Sequence, residues 1–319
     1  MYCLLEKIKR CRMNLVAWSR VTFGNARNRL DARQGELIDL MESGHGPNME
    51  RIHEVKKEIN ELLHHEEVFW RQRSRSIWLL AGGKNTKFFH QRASQRRRKN
   101  NIVGLYDRFG VWQTEEDQIG NIAEEYYKQL YTSTNSMDVE EVIEAVDQRV
   151  TEEMAQSLTQ AYSEEEVKTA LFQMHPSKAP GLDGMSPFFS QKFWHIVGQD
   201  VTAVVLSVLH SGRYLRKMNY AHIVLIPKKN QPEYITKYCP ISLGNVVSRI
   251  ISKVLANWIK PILPNVISDS QSAFVPNRLI TDNTTVAFEL LHRMRNRRRG
   301  KKGHMAVKLD ISKAYDRVE

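Results

Sequence analysis

From Arg71 to Asn101 the chain places ten cations (Arg71, Arg73, Arg75, Lys84, Lys87, Arg92, Arg96, Arg97, Arg98 and Lys99) and no acid. Charges at that density cannot all be buried, so this stretch must fold with a basic face in water. From Arg293 to Lys302 there are seven more cations, again without an acid. Between Glu115 and Glu166, by contrast, fifteen acids face only Lys128 and Arg149. The formal net charge is +11, nearly all of it carried by the first run. Such an excess favours polyanions through counterion release and is silent on sequence preference. For one basic run a solvated helix face is the plain alternative. Two runs, set against an acidic middle, point to one surface for nucleic acid and another that avoids it.

At 319 residues the chain is long enough for two or three domains with a sizeable core. Cys3, Cys11 and Cys239 make neither a paired framework nor a metal-ligand spacing, which fits a reducing compartment. No apolar run approaches the length of a membrane span, and the N-terminus is too charged for a secretory signal. The expected location is intracellular, nucleus or cytoplasm. The clusters RRRK (96–99) and RRRGKK (297–302) suit nuclear import, although such runs also arise by chance.

Apolar spacing predicts long helices over residues 1–70, most simply an antiparallel pair on either side of "GHGPN". This segment is also the candidate for self-association. The helical pattern continues through the basic run, with a break near Gly82-Gly83. There Trp70, Trp78, Phe88 and Phe89 read as core rather than as stacking platforms. "NIVGLYDRFGVWQT" (101–114) predicts a β-hairpin, and acidic helices follow. Ser163 and Glu166 form a capping box ahead of Val167, Leu171 and Met174. "FWHIVGQDVTAVVLSVLHSG" predicts a helix stopped at Gly212, and "YAHIVLIPKKN" a strand ending in a basic corner. "GNVVSRIISKVLANWIKPIL" is an amphipathic helix closed by Pro261 and Pro264, and "DNTTVAFELLHRMRNRRR" another with a basic end. "HMAVKLDI" predicts a buried strand and "SKAYDRVE" the start of a helix. The fold class is α+β, mostly helical.

One acid stands out. Val307, Leu309 and Ile311 alternate with Lys308 and Asp310, so on a strand Asp310 faces away from the apolar set. A carboxylate at the mouth of a sheet can hold Mg²⁺, which prefers oxygen ligands shared with phosphates. Taken alone, a salt bridge or a helix-entry acid explains Asp310 as well. Asp316, in the first turn of the following helix, suits the helix dipole.

Five blocks, "APGLDGMSPFFSQKFW", "IVLIPKKN", "YCPISLGNVVSRIISKVLANWIKPIL", "ISDSQSAFVPNRLITDN" and "AVKLDISKAYDRVE", occur in that order. Together they resemble the reverse transcriptases of non-LTR, LINE-type retrotransposons, particularly those of plants. Upstream, "RSIWLLAGGKNTKFFHQRASQRRRKNNI" resembles the segment that precedes the polymerase in such polyproteins, so the likeness spans roughly residues 70–319. It implies a right-hand polymerase that copies RNA into DNA by two-metal phosphoryl transfer. Its partners would be an RNA template, a DNA primer, deoxynucleoside triphosphates and Mg²⁺. Asp310 would be the catalytic, metal-binding aspartate of the palm, and Tyr315 the ring beneath the incoming sugar. Lys228 would sit near the triphosphate, and Gln271, Phe274 and Arg278 along the template or nucleotide path. Without the resemblance Phe274 reads as core and Lys228 as a solvated loop cation. Lys84, Arg92, Arg96, Arg97, Arg98 and Lys99 are the cations expected to bind nucleic acid.

Two departures qualify the likeness. The family pattern at 238–243 has arginine where this chain has Cys239, and a thiol replaces neither the five donors nor the permanent charge. Weakened nucleotide binding is expected. The sequence also stops before the family's Tyr-x-Asp-Asp hairpin and contains no Asp-Asp pair. Two Mg²⁺ ions need several carboxylates, so the expectation is a fragment, incomplete in palm and thumb and inactive alone, with some apolar surface uncovered. The expected layout is a basic helical extension over 1–100, the hairpin and acidic helices over 101–160, a fingers-like part over 161–303 and the start of a palm over 304–319. The other readings are a non-enzymatic nucleic-acid-binding module, a self-associating helical scaffold and a decayed remnant.

Overall fold

A computed structural model describes residues 2–24, 26–76, 86–133, 139–144, 147–296, 305–309 and 313. In chain order the elements are α1 (Tyr2–Phe23), α2 (Ala26–Glu42), α3 (His45–Ser74), α4 (Thr86–Asn100), β1 (Leu105–Tyr106), β2 (Trp112–Gln113), α5 (Glu116–Leu130), α6 (Val139–Glu144), α7 (Glu152–Leu158) and α8 (Glu164–Phe172). They continue with α9 (Pro187–Lys192), α10 (Trp194–Ser211), β3 (His222–Pro227), β4 (Tyr238–Leu243), α11 (Val246–Ile259), α12 (Leu263–Val266) and α13 (Ile280–Asn296). The chain is mostly helical, as expected. It divides into two compact units, neither continuous in sequence. One comprises Met1–Ile119, His175–Lys192 and Leu215–Val246; the other comprises Gly120–Met174, Phe193–Tyr214 and Val247–Glu319.

In the first unit α2 and α3 form the expected antiparallel pair. Leu30, Val55 and Ile59 are buried between them, flanked by Leu37, Leu40, Leu62 and Leu63. Arg33 pairs with Glu58 while Arg51 pairs with Glu36, and this reversed order fixes the antiparallel sense. Hydrogen bonds from Arg51 and then Arg33 hold the Glu36 carboxyl below its ordinary range. These are exposed pairs, so apolar burial and not charge supplies most of the stability. The helix α3 starts directly after Gly44 and takes up the "HGPN" residues that the sequence suggested as a turn.

The hairpin β1–β2 pairs Leu105 with Gln113 and Tyr106 with Trp112. Its turn is built by Asp107, whose carboxylate accepts from the backbone N–H groups of Phe109 and Val111, both at 2.9 Å, and from the Gln113 amide at 3.0 Å. Led by the Gln113 bond, these contacts depress the Asp107 pKa. The strand β3 pairs antiparallel with β4 from His222↔Leu243 to Pro227↔Tyr238. Pro240 costs β4 little, because in a two-stranded ribbon each strand keeps one unpaired edge. Gly181 of "APGLDG" lies so near Gly244–Asn245 that a Cβ there would fall 2.5 Å from the Gly244 carbonyl oxygen. In the same turn the Asp183 carboxylate accepts from the Met185 N–H at 3.2 Å and the Val246 N–H at 3.3 Å. The motif therefore has a local structural meaning: it lets a loop close onto the start of α11.

In the second unit α8 packs on α10, with Val167, Ala170 and Leu171 buried on the first and Val201, Val204, Val205 and Val208 on the second. The capping box is present in full: the Ser163 hydroxyl accepts from the Glu166 N–H and the Glu166 carboxylate accepts from the Ser163 N–H. The other Glu166 oxygen takes the Trp258 indole N–H at 2.7 Å, which ties α8 to α11. Gly212 stops α10 in the left-handed conformation.

Three expectations are corrected. Phe88, read with Phe89 as core, lies exposed, because adjacent helical positions point about 100° apart and α4 turns only Phe89 inward. Residues 305–309 adopt no strand, and Val307 and Leu309 lie exposed. Apolar alternation gives a strand only where a partner satisfies its backbone groups, and the described strands all pair elsewhere. Phe274, read from the residues alone as core, is 98% exposed and sits at a φ of 65°. The break near Gly82-Gly83, Trp78 and the helix proposed after Ile311 lie outside the described residues, Lys313 apart.

Candidate nucleic-acid interface

The helix α4 is the basic element. Phe89 is its one buried residue, and the Trp70 ring of α3 meets His90 edge-on at 4.3 Å. Arg96 reaches back to donate to the Ser74 carbonyl oxygen at 3.4 Å. With Phe89 turned inward, Arg92, Arg96, Arg97, Arg98 and Lys99 are all exposed. Arg92 and Arg96 are a helical turn apart and therefore neighbours, and Arg97, Arg98 and Lys99 fill the last turn, where the macrodipole favours cations. The sequence set this group apart, and the structure gathers it on one short rod. Lys84 lies outside the described residues.

The same unit carries the "IPKK" corner. Lys228 and Lys229 follow β3, are exposed, and lead into a loop closed by the Lys228 N–H donating to the Lys237 carbonyl at 2.9 Å. Cys239, at the position where an arginine was expected, is exposed on β4 opposite Ile226. It offers no charge to an anion there.

Gln271 and Arg278 belong to the other unit and to each other. The Arg278 guanidinium donates to the carbonyls of Ser268, Gln271, Pro264 and Ile267 and pairs with Asp269 at 3.2 Å. Its two terminal nitrogens are thus engaged by the loop that Arg278 itself closes. Sequence reasoning missed this role, since the partners are backbone oxygens with no residue signature. Within the loop the Gln271 amide donates to the Ala273 carbonyl at 3.4 Å, and Phe274 projects into solvent.

Asp310 and Tyr315 lie outside the described residues, so their expected roles have no geometry here. Among the described residues no three His, Cys, Asp or Glu side chains are grouped to hold a metal ion. No helix among them is long and apolar enough to cross a membrane.

The family described as reverse transcriptase (RNA-dependent DNA polymerase) matches residues 226–319, from the end of β3 onward. Over 307 residues, 95% of the chain, it is 27% identical to the "Transposon TX1 uncharacterized 149 kDa protein" of Xenopus laevis. Over 143 residues it is 27% identical to the "Retrovirus-related Pol polyprotein from type-1 retrotransposable element R2" of Nasonia vitripennis. The chain spans 23% of the first relative and 13% of the second.

Proposed function

We propose that this chain, whose residues 226–319 match the reverse transcriptase family and which is similar to retrotransposon proteins, is part of a non-LTR reverse transcriptase whose first unit grips nucleic acid for RNA-directed DNA synthesis. The observation that carries this is α4: an exposed helix with Arg92, Arg96, Arg97, Arg98 and Lys99 on it, inside a stretch from Arg71 to Asn101 that contains no acid. Phosphates are bound there by charge, without base reading. In this reading the polymerisation belongs to a longer protein of the same kind, with Asp310 as a magnesium ligand, Tyr315 beneath the sugar of the incoming deoxynucleotide and Lys228 near its triphosphate.

The test is salt-dependent binding of a labelled RNA. Neutralising three phosphate contacts in Arg96→Gln/Arg97→Gln/Arg98→Gln lowers the slope of log K against log salt by about 2–3. Unchanged affinity and slope would remove the reading. Primer extension with Asp310→Ala as control separates the two roles. Extension lost in that variant marks catalysis by this chain; RNA binding unaffected by Asp310→Ala, with no extension by either protein, leaves the grip alone. Self-association through residues 1–70 is a separate proposal. Met13, Trp18 and Val21 of α1 are exposed in support of it, and a sedimentation equilibrium run that finds only monomer would discard it.

A further inference from the structure

The hairpin of residues 101–114 carries a set of rings that the basic helix does not account for. Tyr106 lies at its centre, 5.0 Å from the Trp112 ring across the hairpin and 5.2 Å from Tyr234 at an interplanar angle of 30°. Trp112 and Tyr234 keep 40% and 50% of their surface exposed, which is high for rings so well placed. The backbone beneath them is pinned: Tyr106 N–H donates to the Glu233 carbonyl at 2.9 Å, and Asp107 braces the turn. The indole of Trp112 rests on Gly104, where a Cβ would stand 2.4 Å from the ring. Only glycine leaves room for that seat, so one face of the indole is set by the backbone beneath it.

The surroundings carry both signs: Lys228, Lys229, Lys237 and Arg108 stand with Glu233 and Asp107, whose carboxylate is spent on the turn. Tyr234 belongs to the loop that opens at Lys228-Lys229 and closes at Lys237, and Arg108 lies 4.8 Å over the Phe109 ring at the hairpin tip. Exposed rings on a fixed backbone, interleaved with cations, suit unpaired bases, because every base offers a π-face and its phosphate seeks the charge. A protein partner of apolar character has less to gain from a loop carrying three lysines against the single acid Glu233.

We propose that Trp112, with Tyr106 and Tyr234, is a stacking platform for bases of single-stranded nucleic acid beside the phosphate-binding helix. This rests on the nucleic-acid reading above, and names which form of nucleic acid this surface takes.

The experiment measures labelled oligouridine and a labelled RNA duplex against the full chain and its variants, with far-UV circular dichroism to confirm folding. Loss of one stacked base weakens oligouridine binding about tenfold in Trp112→Ala, with Trp112→Phe restoring most of it. The salt slope stays unchanged, since no phosphate contact is lost, and duplex binding stays unchanged, since paired bases present no free face. Gly104→Ala, which unseats the indole, weakens oligouridine in the same direction. Should Trp112→Ala fail to fold, Tyr234→Ala, outside the hairpin, provides the same comparison. Oligouridine affinity equal to that of the parent in a folded variant overturns the platform while leaving the helix reading intact. An equal loss for duplex and single strand also overturns it. Failure of the parent chain to bind any RNA overturns both.

Discussion

Helices α11 and α13 look alike on paper and behave differently in the fold. Each has an apolar face at helical spacing. Yet α11 buries Val246, Val247, Ile250, Ile251 and Val254, whereas α13 buries nothing and leaves Val286, Phe288, Leu290 and Leu291 in contact with water. Amphipathicity states what a helix could bury; only a facing surface decides whether it does. The difference also appears in how each is anchored. In α11 the indole of Trp258 reaches Glu166, while α13 enters from a loop organised by Arg278 through backbone carbonyls.

The sharpest way to break this contrast is truncation on the buried face. Ile250→Ala should cost about 2–5 kcal/mol by urea unfolding, since it empties a fully buried site. A loss near zero would mean that α11 packs as loosely as α13. Next in size is Arg278→Ala, which strips donors from the loop ahead of α13 and should cost about 1–3 kcal/mol, with faster proteolytic cleavage between residues 268 and 277. Arg278→Lys should not rescue it, because one ammonium cannot match the planar fork. Ser163→Ala removes the N-cap of α8 and should cost about 1 kcal/mol.

The pH dependence of the Glu166 anchor follows from its bonds. Desolvation pushes the Glu166 carboxyl up, but hydrogen bonds from the Ser163 backbone and hydroxyl and from Trp258 outweigh it, and the pKa ends below its ordinary value. A carboxyl depressed in the folded state stabilises fully above its unfolded pKa of about 4.3. That contribution disappears as pH falls through the lower folded value. Acid titration of Tm should therefore steepen below about pH 4.3 in the parent chain and flatten in Glu166→Gln. The smallest effect is expected on α13: Leu290→Ser should change stability by no more than about 0.5 kcal/mol. A large loss there would show that the α13 face is covered after all.

What the sequence disclosed was mainly local. The capping box at Ser163, the stop at Gly212, the hairpin around Asp107-Arg108-Phe109-Gly110 and the basic face of α4 each follow from residues a few positions apart. What it concealed depends on distant partners. "YCPISL" carries a proline and gives no strand signal of its own; β4 exists because β3 lies alongside it. Residues 305–309 alternate as a strand should and yet form none. Arg278 was expected along the template or nucleotide path, and its carbonyl partners left no trace in side-chain pattern. Of the candidate site, the α4 cations and Lys228 are exposed, while the seat of Trp112 on Gly104 shows only in three dimensions.

The Glu166 carboxylate spends one oxygen on Ser163 and the other on Trp258. A single side chain thereby couples the N-cap amide of one helix to the indole proton of another. In hydrogen–deuterium exchange those protons should open as one event, with a shared protection factor that collapses together when Glu166 is replaced.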